Sequence, residues 1–315
     1  MHDVTCLGEL LIDFTSLQAG ATLIETPGFE KHAGGGVANV AVGVSRLGGS
    51  SAFLGMVGND EFGRYLAKML TDRAVNIDGL RYSNVAHTTL AFVALREDGE
   101  REFVFYRNPG ADMLYSSSDL DESIVAGGRY LHHGSISFIS TPNREATLRA
   151  ISLARAHDRL ICYDPNLRLN LWENPQAAFE GILLGLSTAN IIKLSEDELA
   201  FITRQHDIET GMRALRAHGA SAVIVTMGGD GCSYNWGDYS GHIPARRVTP
   251  VDTTGAGDAF VAGMLYRLTR NELHPNELPK PQIEDILTFA NRVAARVVTC
   301  RGAIPAMPTL DEVIA

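Results

Sequence analysis

Asp252-Thr253-Thr254-Gly255-Ala256-Gly257-Asp258-Ala259-Phe260 combines residue types that can do chemistry at a spacing that brings them together. A polar turn runs into Gly-Ala-Gly and then an acid. Phe260, Val261, Met264, Leu265 and Leu268 follow at helical spacing. Gly255 and Gly257 free the backbone N–H groups at the start of that helix to converge, and unpaired donors plus the helix dipole attract anions there. Like charges repel, so Asp258 is poorly sited to hold a phosphate itself. It is well sited to take a proton from a hydroxyl attacking one. Read alone, the stretch is also an ordinary turn and N-cap, with Asp258 favourably placed on the dipole.

Other candidates stand along the chain. Gly34-Gly35-Gly36-Val37-Ala38-Asn39 opens a second helix, where glycines permit close backbone approach or a hinge and Asn39 can both donate to and accept from a hydroxyl. Asp13 ends the apolar run Leu10-Leu11-Ile12, and its two oxygens suit a vicinal diol or cap a neighbouring loop. Arg107 and Arg168 lie in loops. Each is a structural salt-bridge residue or, if the two converge, a forked donor for a polyol or a transferring phosphate. Lys193-Leu194-Ser195-Glu196-Asp197-Glu198 fits a capping box between Ser195 and Glu198, or places Glu198 near a metal–water shell. Thr226-Met227-Gly228-Gly229-Asp230-Gly231 is a glycine turn able to approach phosphate or ribose. His132-His133 lack an acid or cysteine at ligand spacing and read as structural.

The elements that must position these groups alternate. Strands are expected at Val4–Leu7, Ser51–Val57, Arg129–Gly134, Leu160–Tyr163, Asn190–Lys193 and Ala222–Thr226. Helices are expected around Val37–Leu47, Phe62–Leu70, Asn143–His157, Gln176–Leu186, Glu196–Thr203 and Ile208–His218. Crossover-length spacing implies a parallel sheet covered on both faces, with ligands at the carboxyl ends of its strands. Thr88–Leu95 and Glu100–Tyr106 read as a hairpin turning at Asp98-Gly99, and Leu10–Thr15 and Thr22–Ile24 extend the same small sheet. Leu90, Phe92, Phe103 and Phe105 are expected to form one apolar face of it, covered by a second copy in a homodimer. The expectation is a single α/β domain over 1–315, a doubly wound, mostly parallel three-layer sheet, with a discontinuous lid from about 10–33 and 86–110.

Composition narrows the partners. The chain is 45% hydrophobic and 20% charged with a formal net charge of −10, ordinary for a globular protein and offering no basic run for nucleic acid. No apolar stretch approaches a membrane span. The four cysteines, Cys6, Cys162, Cys232 and Cys300, show neither metal nor redox spacing. The expectation is a cytoplasmic protein binding small molecules.

With these residues in view, the chain resembles the ribokinase-like (PfkB) carbohydrate kinases, and among them most the fructokinases. The resemblance rests on the cluster ending in Asn39 and on Asp252 to Phe260. It also rests on Gly8-Glu9-Leu10-Leu11-Ile12-Asp13-Phe14, Phe105 to Leu114, His133 to Ser137, and Asp164-Pro165-Asn166-Leu167-Arg168 followed by Leu171-Trp172. It implies ATP-dependent phosphorylation of a sugar, D-fructose to fructose 6-phosphate. The same scaffold also phosphorylates 2-keto-3-deoxygluconate or aminoimidazole riboside, and a non-catalytic sugar-binding regulator is a remoter alternative. It implies that Asp258 is the base and that Gly255, Ala256 and Gly257 form the anion hole. Asp13, Gly35, Asn39 and Arg107 would contact the sugar, with Arg168 near both sugar and phosphate. Lys193, Ser195, Thr226, Gly228, Gly231 and Asn291 would line the nucleotide site. Glu198 would act on Mg²⁺ through water, and Asp252, Thr254, Val297, Cys300 and Gly302 would hold K⁺, mostly through backbone oxygens. Ser195 stands where ribokinase-like members usually carry Asn.

Overall fold

The computed structural model describes residues 1–18, 20–95 and 101–315. In chain order it contains the strands β1 (His2–Leu7), β2 (Leu11–Ser16) and β3 (Phe29–Gly34), then the helix α1 (Gly36–Arg46). Strand β4 (Ser51–Gly58), helix α2 (Glu61–Thr71), and strands β5 (Asn76–Ser83), β6 (Leu90–Leu95) and β7 (Arg101–Tyr106) follow. Then come α3 (Glu122–Gly127), β8 (Gly128–Gly134), α4 (Thr141–Ala156), β9 (Leu160–Asp164), α5 (Pro175–Leu186), β10 (Ile191–Ser195), α6 (Glu196–Thr203), α7 (Ile208–Arg216) and β11 (Ala222–Thr226). The chain closes with β12 (Cys232–Trp236), β13 (Tyr239–Ile243), α8 (Ala256–Thr269), α9 (Lys280–Val297) and α10 (Leu310–Ile314).

Nine strands form one sheet in the order β13-β12-β11-β10-β9-β8-β1-β4-β5. The seven from β5 to β11 are parallel, and β12 and β13 add an antiparallel edge. Alternation along each strand sorts side chains into two cores. Tyr130, Cys162, Ile191 and Ile224 pack with α1, α8 and α9, while their neighbours Leu131, Ile161, Ile192 and Val223 pack with residues of α4, α5 and α7 on the other face. Helix α8 lies between α1 and α9, so it is apolar almost all round.

The connection order reverses at β1. The chain moves outward through β4 and β5, then returns to the other side of β1 and runs through β8 to β11. A crevice therefore opens where the carboxyl ends of β1 and β8 diverge, the usual place for a ligand in such sheets.

A second sheet, in the order β3-β2-β6-β7, stands over that crevice. Two expectations need correction here. Thr22–Ile24 is a turn stabilised by Thr22–Glu25 contacts, and the strand beside β2 is β3. The sequence of β3, Phe-Glu-Lys-His-Ala-Gly, is too polar to announce itself. The four apolar residues also do not share a face. Phe92 lies opposite Val104 and Leu90 opposite Tyr106, whereas Phe103 and Phe105 lie opposite Val93 and Ala91 on the other side. Phe14, Phe29 and Phe92 form an aromatic cluster on the first face, and Phe103 and Phe105 stack on the second, above the crevice. The expected turn at Asp98-Gly99 lies outside the described residues.

Candidate active site

Helix α8 begins in the crevice. Its N-cap, Gly255, has φ 79°, the left-handed backbone that glycine adopts without strain. A side-chain carbon on Gly255 would also come within 2.6 Å of the Ala303 methyl. The N-cap supplies no side-chain hydrogen bond; Ala256 N turns back to the Thr253 carbonyl at 3.3 Å, and the N–H groups of Gly255 and Gly257 meet no protein acceptor among the described residues. Asp258 stands in that first turn and is only 8% exposed. Its Oδ2 accepts from Asn39 Nδ2 at 2.7 Å and its Oδ1 from Asn166 Nδ2 at 3.3 Å. Burial pushes its carboxyl up to about 6. The Asn39 bond opposes that shift, Asp164 adds to it, and Lys193 and Arg168 pull it back.

Lys193 comes closer to this centre than its expected nucleotide role requires. It pairs with Asp164 at 2.9 Å in a nearly dry setting, and a side-chain carbon on Gly257 would lie 2.7 Å from its Nζ. Burial would lower its pKa, but Asp164, Glu198 and Asp258 outweigh that and raise it, so the ammonium is retained. A permanent cation thus borders the Gly255–Gly257 turn.

Around these groups lies a cavity of about 210 Å³, small by the standard of ligand sites. Asp13, Gly35, Asn39, Arg168 and Asp258 all line it, as do Phe103 and Phe105 from the small sheet. Asp13 sits over Gly34, where no side chain fits beside its carboxylate. Arg168 uses Nη1 on the carbonyls of Asn166 and Leu167, which fixes the guanidinium at the cavity wall. The arrangement offers acceptors for hydroxyl groups, two aromatic rings, one buried base and an electropositive helix start.

Arg107 does not join them. Its Nε and Nη2 both reach Asp112 Oδ2, at 2.8 and 2.7 Å, inside the protein. The structure places it in a buried ion pair, which also receives Thr89 through Asp112 Oδ1.

Ser195 caps a helix, as its spacing from Glu198 allows. Its hydroxyl accepts from Glu198 N while Glu198 Oε2 accepts from Ser195 N, completing a capping box at α6. Glu198 Oε1 accepts from Leu167 N at 2.6 Å, tying the helix to the loop that carries Asn166 and Arg168. Two of the four lone-pair positions of that carboxylate remain, which fits contact with a hydrated divalent ion. Thr226, Gly228 and Gly231 gather at the end of β11, with φ 53° and 99° at the two glycines. A side chain on Gly231 would strike the Ile243 carbonyl, and Asn291 donates to that same carbonyl at 3.2 Å. Asn291 also lines a cleft of about 410 Å³ with Pro244, Ala245 and Arg292.

Asp252 joins the turn before α8 to the segment after α9. Its Oδ1 accepts from Thr254 N and Oγ1 and its Oδ2 from Gly302 N, while Asp252 N and Val251 N donate to the Val298 carbonyl. Val297 ends α9, where the dipole favours a cation; its carbonyl accepts from Cys300 N and keeps its second lone pair. These residues fit a potassium ion held by main-chain oxygens. The Cys300 thiol accepts from Arg296 instead.

Glu9, Asn166, Phe103 and Phe105 had not been singled out as site residues. For Glu9 the available signal was an acid just past a buried strand, the position that also drew notice to Asp13. His132 and His133 are buried on β8, and burial pushes both rings down to about 3, which keeps them neutral.

A doubly wound sheet with a base buried at a glycine-led helix start defines a phosphotransferase-type α/β protein. The family model described as pfkB family carbohydrate kinase matches residues 1–310, and the chain belongs to that family. It is 47% identical over 313 residues to a probable fructokinase-7 of Arabidopsis thaliana, covering 98% of this chain and 91% of the relative. It superimposes with a TM-score of 0.90 and 35% identity on a Vibrio cholerae fructokinase crystallised with fructose, ADP and calcium, covering 100% and 98% of the two chains. Aminoimidazole riboside kinase of Salmonella enterica gives a TM-score of 0.84 at 30% identity, covering 99% and 98%.

Replacing Arg107 by Met leaves the Asp112 carboxylate buried without its cation. The expected cost is about 3–5 kcal/mol of unfolding free energy by chemical denaturation. The fraction that remains folded should keep its sugar KM. A large rise in sugar KM with unchanged stability would restore Arg107 to the sugar site.

Proposed function

We propose that this protein transfers the γ-phosphoryl group of ATP to the primary hydroxyl of D-fructose, giving fructose 6-phosphate. The observation that carries the reading is the buried Asp258 carboxylate at the start of α8, bordered by Gly255–Gly257 and Lys193. The fructokinase relatives support the sugar, and the nucleotide in the Vibrio cholerae complex supports the donor.

In this mechanism the sugar lies in the 210 Å³ cavity. Asp13 and the Asn39 side-chain Oδ1 accept from its hydroxyls. Asp258 accepts the proton of the attacking hydroxyl as the O–P bond forms. The N–H groups of Gly255 and Gly257, with Lys193 and Arg168, absorb charge on the phosphoryl group. The small sheet acts as a lid that keeps water from the phosphoryl group, with Phe103 and Phe105 as its inner lining. Mg²⁺, when bound near Glu198, would screen the phosphates, and K⁺ beside Asp252 would fix the turn preceding α8. Thr226, Gly228, Gly231 and Asn291 are the proposed nucleotide side of the site. The retained free thiols suit the cytoplasm, where ATP is available.

Asp258→Asn should lower kcat by at least ~100-fold while ATP binding persists. Because the base works only when ionised, the kcat of the unaltered protein should fall as pH drops through about 6. Near-normal turnover in Asp258→Asn would refute the assignment of the base.

Coupled ADP release with fructose, 2-keto-3-deoxygluconate, ribose and aminoimidazole riboside tests the acceptor. The expected result is strong preference for fructose. With Arg107 committed to Asp112, one arm of a carboxylate clamp is missing, which weighs against the sugar acid.

Val104 and Tyr106 are exposed on the outer face of the small sheet, and we read that face as the contact of a homodimer. Light scattering at micromolar concentration should give twice the 34.1 kDa chain mass. A monomer there would end this reading.

A further inference from the structure

Glu9 is a carboxyl group at the crevice that the mechanism leaves without a task. It lies two residues past the end of β1 and is 4% exposed, among the most buried acids of the described chain. Its Oε1 accepts from Gly36 N at 2.7 Å. Its main chain lies equally close to the glycine run: a side-chain carbon on Gly35, whose φ is 112°, would collide with the Glu9 carbonyl oxygen. The run from Gly34 to Gly36 is therefore held against Glu9 by both backbone packing and a charge-assisted hydrogen bond.

What lies on the far side of Gly36 gives this contact a purpose. A side-chain carbon there would strike Asn166 Nδ2 and come within 3.3 Å of Asp258 Oδ1. Gly36 also begins α1, whose first turn presents Asn39. Asn39 N donates to the Gly35 carbonyl at 2.8 Å, and Asn39 Nδ2 donates to Asp258. One unbroken set of contacts runs from Glu9 through Gly36 and Asn39 to the proposed base. A small cavity of about 10 Å³, room for one water molecule, is lined by Glu9, His132, Ser135, Asp164, Asn166 and Asp258. Glu9 Oε2, Ser135 Oγ and His132 Nδ1 have no hydrogen-bond partner among the described residues.

We propose that Glu9 is a positioning residue for phosphoryl transfer, which clamps Gly36 so that Asn39 is held on Asp258. The proposal rests on Asp258 being the base. The clamp needs an acceptor at the Glu9 carboxyl position rather than a charge, since either ionisation state leaves an oxygen for the Gly36 N–H. Burial pushes Glu9 up to about 7, Asp112 adds to that and Arg107 opposes it, so both states occur near neutrality. The groups facing Asp258 itself are Asn39, Asn166, Asp164, Lys193 and Arg168. Of these, Asn39 is the one the clamp controls, and its bond favours the ionised base.

The test is the pH profile of kcat for Glu9→Leu, Glu9→Asp and Glu9→Gln beside the unaltered protein. Glu9→Leu removes the acceptor, so kcat should fall about 10- to 100-fold through misplacement. The acid limb should move up by about one pH unit, the worth of a hydrogen bond to a charged group. The KM for ATP should stay unchanged. Glu9→Asp withdraws the acceptor by one methylene and should show the same movement to a smaller degree, which preserves the test if Glu9→Leu does not fold. Glu9→Gln keeps an acceptor and should match the unaltered protein in both kcat and limb. An unmoved limb in Glu9→Asp, or a Glu9→Gln as impaired as Glu9→Leu, overturns the proposal. An unaltered protein with no acid limb, or an active Asp258→Asn, would instead overturn the base assignment.

Discussion

The hydrogen bond from Asn39 to Asp258 spans 219 positions of sequence and joins the starts of two helices. Helix α1 follows the small sheet, and α8 leads into the buried layer beside α9. For both helices to begin at one point, β1 must end beside them and β8 must diverge from β1, which the reversal of strand order provides. The acid on α8 must also tolerate burial. It does so because each of its oxygens accepts an amide N–H and a lysine already paired with Asp164 stands near. Displace the start of α1 and the buried carboxylate would keep, of its two amide donors, only the longer bond from Asn166.

Charge balance imposes a second condition on the same volume. Glu9, Asp164, Glu198 and Asp258 are all at least nine-tenths buried, and each oxygen of Glu198 accepts a backbone N–H. Lys193 is the buried cation among them, while Arg168 stands at the wall. A phosphoryl group adds further negative charge, so the site must bring in cations with its substrate or lower its own charge. Burial raises Glu9 and Asp258, and the neighbouring carboxylates of Asp112 and Asp164 add to it.

Much of this was legible in the sequence because periodicity and turn chemistry agreed. Ala222–Thr226 and Glu196–Thr203 begin and end where apolar spacing and the Ser195–Glu198 pair place them. β5, β12 and β13 escaped because Asn76-Ile77-Asp78-Gly79 and Tyr239-Ser240-Gly241-His242 lack an apolar run; their pairing depends on neighbours in the sheet. In the site, Asp258, Asn39 and Asp13 were recognisable because each has a local signature. The ion pair of Arg107 was not legible because a loop arginine gives no sign of its partner, although Asp112 lies only five residues on. Glu9 and Asn166 acquire meaning only through contacts with Gly36 and Asp258 that distant segments create.

Gly34 ends β3 and Gly36 begins α1, so a single residue separates the small sheet from the helix that carries Asn39. Such a junction has no slack. An inserted residue would rotate α1 by about 100°, given 3.6 residues per turn, and carry Asn39 away from the base. The connection at 17–28 is different, since its turn exposes Leu17 and Ile24 and spans strands already paired by register. Over evolutionary time, chain length is free to drift in that connection and is locked at 34–36, where one lost or gained codon would separate Asn39 from Asp258.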